Sequence, residues 1–171
     1  MLPGFDHRPP DTLMPTVHAS MPPPVADSAF EARRERIRAS FAKQGAMALI
    51  GASLVDVQPG YCAIALVPRP DLAQQHGYVH AGIIATLVDS AGGYAGFTLF
   101  PDDASVLSVE FKLNLLAPAK GERLVAEGTV VKNGRTLVIT RGDVYAEEGD
   151  RRTLVAIMQQ TLMVMQGRPE T

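Results

Sequence analysis

The chain has 171 residues, 46% of them hydrophobic, which is enough for one domain with a sizeable core. A formal net charge of -2 and a pI near 6.1 give no electrostatic footprint for nucleic acid or for an anionic membrane surface. The single cysteine, Cys62, excludes an internal disulfide framework and suits a reducing, cytoplasmic compartment.

Residues 1–27 stand apart in composition. Pro3, Pro9, Pro10, Pro15 and the run Pro22, Pro23, Pro24 rule out regular structure, and few large apolar residues are available to pack, so a disordered tail is expected. No basic segment precedes a continuous apolar one, so no secretory signal is read, and Asp6 and Asp11 argue against a transit peptide. Residues 28–171 form the expected domain. Ser28 to Gly45 has the pattern of an amphipathic helix with an apolar stripe of Phe30, Ile37 and Phe41. Asp27 or Ser28 caps it with Glu31 as the reciprocal partner, and Gly45 is its stop. Arg33, Arg34, Glu35, Arg36, Arg38 and Lys43 are expected to face water. Leu49 to Val57 and Tyr61 to Val67, joined by Gln58-Pro59-Gly60, read as a strand hairpin. Cys62 falls in its second strand as a small buried hydrophobe.

A His/Gly-rich turn, His76-Gly77-Tyr78-Val79-His80-Ala81-Gly82, then delivers the chain to a long helix expected over Ile83 to Phe100, with Pro101 as its stop. Apolar residues lie all round this helix, but the apolar run is far short of the ~20 residues a bilayer span needs, so burial is predicted. Gly92, Gly93 and Gly96 cost roughly 1 kcal/mol each against alanine, which is tolerated where a sheet approaches the backbone closely. Asp89 is the anomaly. No Lys or Arg lies between Asp71 and Pro101 to pair with it, and an unpaired carboxylate in an apolar helix costs several kcal/mol unless it faces a cleft. The helix N-terminus offers unpaired N–H groups, and Ala81 precedes Asp89 by eight residues, so the two are expected on one side of the helix. Such a pair in one cleft has the parts of an active site; the alternative is an Asp that bonds loop backbone and only fixes the fold. His76 and His80 have metal-ligand spacing for a helix, but they flank a turn without a third ligand, so no metal is expected.

Four extended runs follow. Val106 to Leu116 alternates Val109, Phe111, Leu113 and Leu115 on one face with Ser108, Glu110, Lys112 and Asn114 on the other. Glu122 to Lys132 leads into an Asn133-Gly134 hairpin turn, then Thr136 to Ala146, a turn at residues 147–150, and Thr153 to Met165. The predicted architecture is α+β, a curved antiparallel sheet wrapped around one long buried helix with an extra N-terminal helix. Its open edges predict dimer formation by edge pairing.

Over Ser28 to Met165 the order and spacing resemble the hotdog fold, and within it the PaaI-like acyl-CoA thioesterases. The residues that carry the resemblance are His80-Ala81-Gly82 in place of a His-Gly-Gly turn, Asp89 within LVDSAGGYA, and the segment SVEFKLNLLAPAKGERLVAEGTVVKNGRTL. The resemblance implies hydrolysis of an aryl- or fatty-acyl-CoA thioester, with CoA entering as part of the substrate and no separate cofactor. It assigns Asp89 as nucleophile or general base and the Ala81 backbone N–H as carbonyl polariser, tolerable to alanine unless the position needs a positive φ. It further implies that His80 orients the thioester or supports the turn, that Gln74 or its neighbour Gln75 replaces an Asn, and that Ser108 faces the site from a partner subunit. A homodimer or dimer of dimers is implied. Lys132, Asn133 and Arg135, with Arg141, are candidate contacts for the CoA phosphates, or else ordinary exposed turn residues. A hotdog hydratase or dehydratase built on His80 and Asp89, and a non-catalytic acyl-CoA-binding protein, are the competing functions.

Overall fold

Six antiparallel strands and one long helix make the body of the fold, seen in a computed structural model that describes residues 28–168. The expected tail, residues 1–27, lies outside the described residues. The elements are α1 (Ser28–Lys43), α2 (Gly45–Ile50), β1 (Ser53–Gln58), β2 (Tyr61–Leu66), a 3-10 turn (Pro70–Leu72), α3 (Ala81–Phe97), β3 (Ser105–Leu115), β4 (Arg123–Asn133), β5 (Leu137–Glu148) and β6 (Arg151–Met165). The strand order is β1-β2-β4-β5-β6-β3, so β1 and β3 are the edges. This is the hotdog arrangement, with α3 packed against the sheet. No helix among the described residues is long and apolar enough to cross a membrane.

Glycines on the sheet decide how closely α3 can lie. Gly128 of β4 and Gly142 of β5 are directly paired. A Cβ on Gly128 would lie 2.3 Å from the Ala91 carbonyl oxygen, and one on Gly142 would lie 2.2 Å from Val88 Cγ2. The β4 backbone therefore meets helix backbone at Ala91 and Gly92, the β5 backbone meets the Val88 side chain, and Asp89 lies between them. Of the helix's own glycines, Gly96 clears Leu162, Gly92 clears two polar side chains described below, and Gly93 faces open space.

Several expectations are corrected. α1 stops at Lys43, and Gly45 begins α2 instead of ending a helix. Residues 49 and 50 are thus helical, and β1 starts only after Gly51, whose φ of 72° closes α2. The arginines of α1 do not simply face water. Arg33 donates to the Thr98 carbonyl, Arg34 to the Val57 carbonyl and Arg36 to the Pro101 and Ala104 carbonyls. Arg36 also lies over the Phe97 ring at 4.2 Å. Long apolar stems with a planar donor fork let these side chains fasten α1 across the C-terminal end of α3. The Asn133-Gly134 pair is not a two-residue turn either, because residues 134–136 separate the strands and Gly134 lacks a positive φ.

The alternation read for β3 is broken by a bulge. Ser108 pairs with Leu162 and Glu110 with Thr161, so Val109 is the extra residue. Leu162 and Gln160 face the core, which places Ser108, opposite the first, and Phe111, opposite the second, on the inner side. The bulge turns Ser108 towards α3.

Candidate active site

α3 begins where the chain turns sharply inwards. The Leu72 carbonyl accepts from His80 N–H and the Ala119 carbonyl from Val79 N–H, pinning the entry. His80 is the N-cap: its Nδ1 accepts from Gly82 N–H at 2.9 Å, satisfying one of the free donors of the first turn. Its ring is thereby occupied in holding the turn. The Ala81 N–H makes no hydrogen bond among the described residues. Nor is alanine strained there, since no non-glycine residue among the described ones has a positive φ.

Asp89 sits half-buried on α3 at the wall of a cleft of about 360 Å³ lined by Gln44, Ser90, Gly93, Tyr94, Leu107 and Ser108 among others. Its Oδ1 accepts from Ser108 Oγ at 2.8 Å and from Gln160 Nε2. Both donors come from the same chain, so the expectation that Ser108 reaches the site from a partner subunit is corrected; the bulge at Val109 supplies the reason. Oδ2 accepts no hydrogen bond among the described residues. A carboxylate at a cleft wall with one oxygen tied and the other left without a hydrogen bond is suited to attack an electrophile or to take a proton from water. Gln44, at the junction of α1 and α2, donates to Tyr94 Oη at 2.9 Å and accepts from Ser90 Oγ, forming a polar patch in the cleft wall.

The remaining predicted residues are not gathered here. Neither Gln74, His80 nor Ala81 lines the Asp89 cleft. Eight residues at 1.5 Å each separate Ala81 from Asp89 by about 12 Å along the axis, with the two rotated by about 80°. That rotation keeps them on one broad side of the helix, yet a carbonyl about 3 Å from each group cannot bridge them within one chain. Gln74 turns its side chain back on its own loop, where Oε1 accepts from His76 N–H, and its neighbour Gln75 is exposed. Phe97 is buried edge-on against Phe100, and Phe111 is exposed on β3. Lys132, Asn133 and Arg135 are exposed; Asn133 and Arg135 border Leu99, Phe100 and Pro101 beyond the far end of α3, while Arg141 is paired with Asp143.

Gln160 and Thr140 were not singled out in the sequence. Gln160 is 1% exposed and Thr140 fully buried, and the Thr140 hydroxyl donates to Gln160 Oε1 at 3.0 Å. Cys62 lies apart, its thiol pushed up by burial and so unreactive. Tyr61 and Tyr145 also have raised values, chiefly from burial, within the charged surroundings of Glu127 and Arg152. Among the described residues no three His, Cys, Asp or Glu side chains are grouped to hold a metal.

With this geometry the chain can be set beside known proteins. The thioesterase superfamily model matches residues 76–153, from the His76 turn into β6. Human acyl-coenzyme A thioesterase 13 is 32% identical over 92 residues, covering 53% of this chain and 65% of that protein. As with two archaeal relatives named as esterases, the chain thus spans just under two thirds of its length. The E. coli PaaI protein from the phenylacetic acid degradation operon shares the fold, with a TM-score of 0.73 at 14% identity over 82% of this chain and 98% of that one. The crystal structure of a thioesterase family protein from Silicibacter pomeroyi is more similar in sequence, 43% identical with a TM-score of 0.77, covering 79% of this chain and 99% of that one. At that identity over nearly the whole of a solved neighbour, the chain belongs to the thioesterase superfamily.

Proposed function

We propose that this protein hydrolyses the thioester of an acyl-CoA to a free acid and CoA. The observation that carries the reading is the Asp89 carboxylate at the cleft wall, fixed through Oδ1 by Ser108 and Gln160 while Oδ2 accepts no hydrogen bond among the described residues. Oδ2 either attacks the carbonyl carbon, forming an anhydride that water then opens, or removes a proton from the attacking water. In both routes the C–S bond breaks, sulfur leaves as the CoA thiol, and water supplies the oxygen of the acid. No separate cofactor is invoked. The free, buried Cys62 suits work in a reducing cytoplasm.

The unpaired Ala81 N–H is the proposed carbonyl polariser, and its distance from its own Asp89 favours a site completed by a second copy. The surface for such a copy is β3, an edge strand on which Leu107, Val109, Phe111 and Leu115 are exposed. Unpaired edge backbone beside a row of large apolar side chains favours strand-to-strand pairing. Static light scattering is expected to give at least twice the 18.3 kDa chain mass, and Val109→Lys with Phe111→Lys to lower the mass and the activity together; a fully active monomer would refute the shared site. Lys132, Asn133 and Arg135 remain the proposed phosphate contacts, reached by the extended arm of CoA.

The hydratase alternative needs His80 and Asp89 as one acid–base pair, and within one chain His80 is committed to capping α3, two turns away. The deciding assay is release of free thiol from a panel of aryl- and fatty-acyl-CoA esters by the purified protein. Turnover of one or more panel members is expected. Binding of acyl-CoA without any thiol release would mean a non-catalytic binding protein.

A further inference from the structure

Thr140 and Gln160 stand directly opposite each other on β5 and β6, on the face turned towards α3. A buried amide must place both its oxygen and its NH2 against partners. Here the choice is forced. The Thr140 hydroxyl donates to Gln160 Oε1 at 3.0 Å, and the NH2 donates to the Asp89 carbonyl at 3.2 Å, to Asp89 Oδ1, and to Ser108 Oγ at 3.0 Å. Reversing the amide would set its oxygen against the two Asp89 oxygens and leave the Thr140 hydroxyl facing an NH2. The Asp89 oxygens, which only accept, therefore fix which end of Gln160 meets them, and the Thr140 hydroxyl satisfies and anchors the other end. The space for this arrangement comes from Gly92, where a Cβ would lie 2.2 Å from Gln160 Oε1 and 2.9 Å from Thr140 Oγ1.

Gln160 grips Asp89 twice, at its backbone carbonyl and at Oδ1, so both the helix position and the side-chain rotamer are held from the sheet. Ser108 donates to the same Oδ1. We infer that Thr140 and Gln160 are positioning residues which lock the Asp89 carboxylate so that Oδ2 is the oxygen presented to substrate. This rests on the role proposed above for Asp89. Neither residue lines the Asp89 cleft, and both are buried, so neither acts by touching substrate. Their contribution falls on the chemical step and not on binding.

The test is steady-state thiol release by wild type, Thr140→Val, Thr140→Ser, Gln160→Met and Asp89→Asn, each shown by thermal melting to be folded at the assay temperature. Removing a hydrogen bond that holds a charged group is expected to lower kcat about 10-fold in Thr140→Val and more in Gln160→Met, with KM changed by less than about 2-fold. Thr140→Ser keeps the donor and is expected to recover most of the loss. If folded Thr140→Val and Gln160→Met turn over at the wild-type kcat while Asp89→Asn is inactive, the positioning inference falls and the catalytic role of Asp89 stands. If wild type itself releases no thiol, the function proposed above falls first. A crystal structure of Thr140→Val supplies the readout independent of activity. A shifted Gln160 side chain or a second orientation of the Asp89 carboxylate is expected, and both unchanged would overturn the inference.

Discussion

Asp89→Asn and Asp89→Ala are each expected to lower the rate of thioester cleavage by at least ~10²-fold, a loss of roughly 2.7 kcal/mol of transition-state stabilisation. The asparagine variant is the more informative. Its side-chain oxygen can still accept from Ser108 Oγ and Gln160 Nε2, as Oδ1 does now, so the rotamer and the local packing survive. What it removes is the negative charge and the basic, nucleophilic Oδ2. A purely structural Asp89 would therefore tolerate asparagine and suffer only with alanine, which takes the Oδ1 acceptor from the Ser108 hydroxyl and the buried Gln160 amide. A catalytic Asp89 loses activity in both. Thiol release by the two folded variants separates these cases, and wild-type rates in Asp89→Asn would remove Asp89 from the chemistry.

The sequence shows Asp89 because one carboxylate interrupts an apolar helix with no cation nearby to account for it. The strands along the chain are equally plain, since period-two alternation and turn residues mark them, whereas their order in the sheet is not written in those patterns. Its failures have local causes. Leu49 and Ile50, the end of α2, read as strand because the apolar residues run on towards Leu54 and Val55, and the break between them is one left-handed residue, Gly51. The bulge at Val109 adds a residue inside an apolar run, where nothing in the composition shows the change of phase that turns Ser108 inwards. Gln160 follows another glutamine, and only the register against β3 and β5 decides that it, and not Gln159, points at the helix. Helical rise alone separates Ala81 from Asp89 by about 12 Å, although the two lie on one broad side of the helix.

Gly128→Ala is expected to produce the largest loss of stability of any single methyl addition to the sheet. Its Cβ would lie 2.3 Å from the Ala91 oxygen, 2.4 Å from the Ala91 carbonyl carbon and 2.6 Å from Gly92 N. None of these is the end of a flexible side chain. The obstacle is helix backbone, so relief requires α3 to move bodily away from β4, opening contacts along its buried face. Overpacking of this kind costs about 3 kcal/mol, which for a domain of this size lowers the melting midpoint by roughly 10 °C. Gly93→Ala is the matched control, because a Cβ there meets nothing within 4 Å and alanine is the better helix former by ~1 kcal/mol. It is expected to melt at or above the wild-type temperature. The displacement in Gly128→Ala also carries Asp89 away from Gln160, which is anchored in β6, so residual activity measured well below the melting point is expected to fall as well. A Gly128→Ala protein that melts within about 2 °C of wild type would mean that the sheet yields more easily than the helix. The close backbone seat would then not be what holds Asp89 in place.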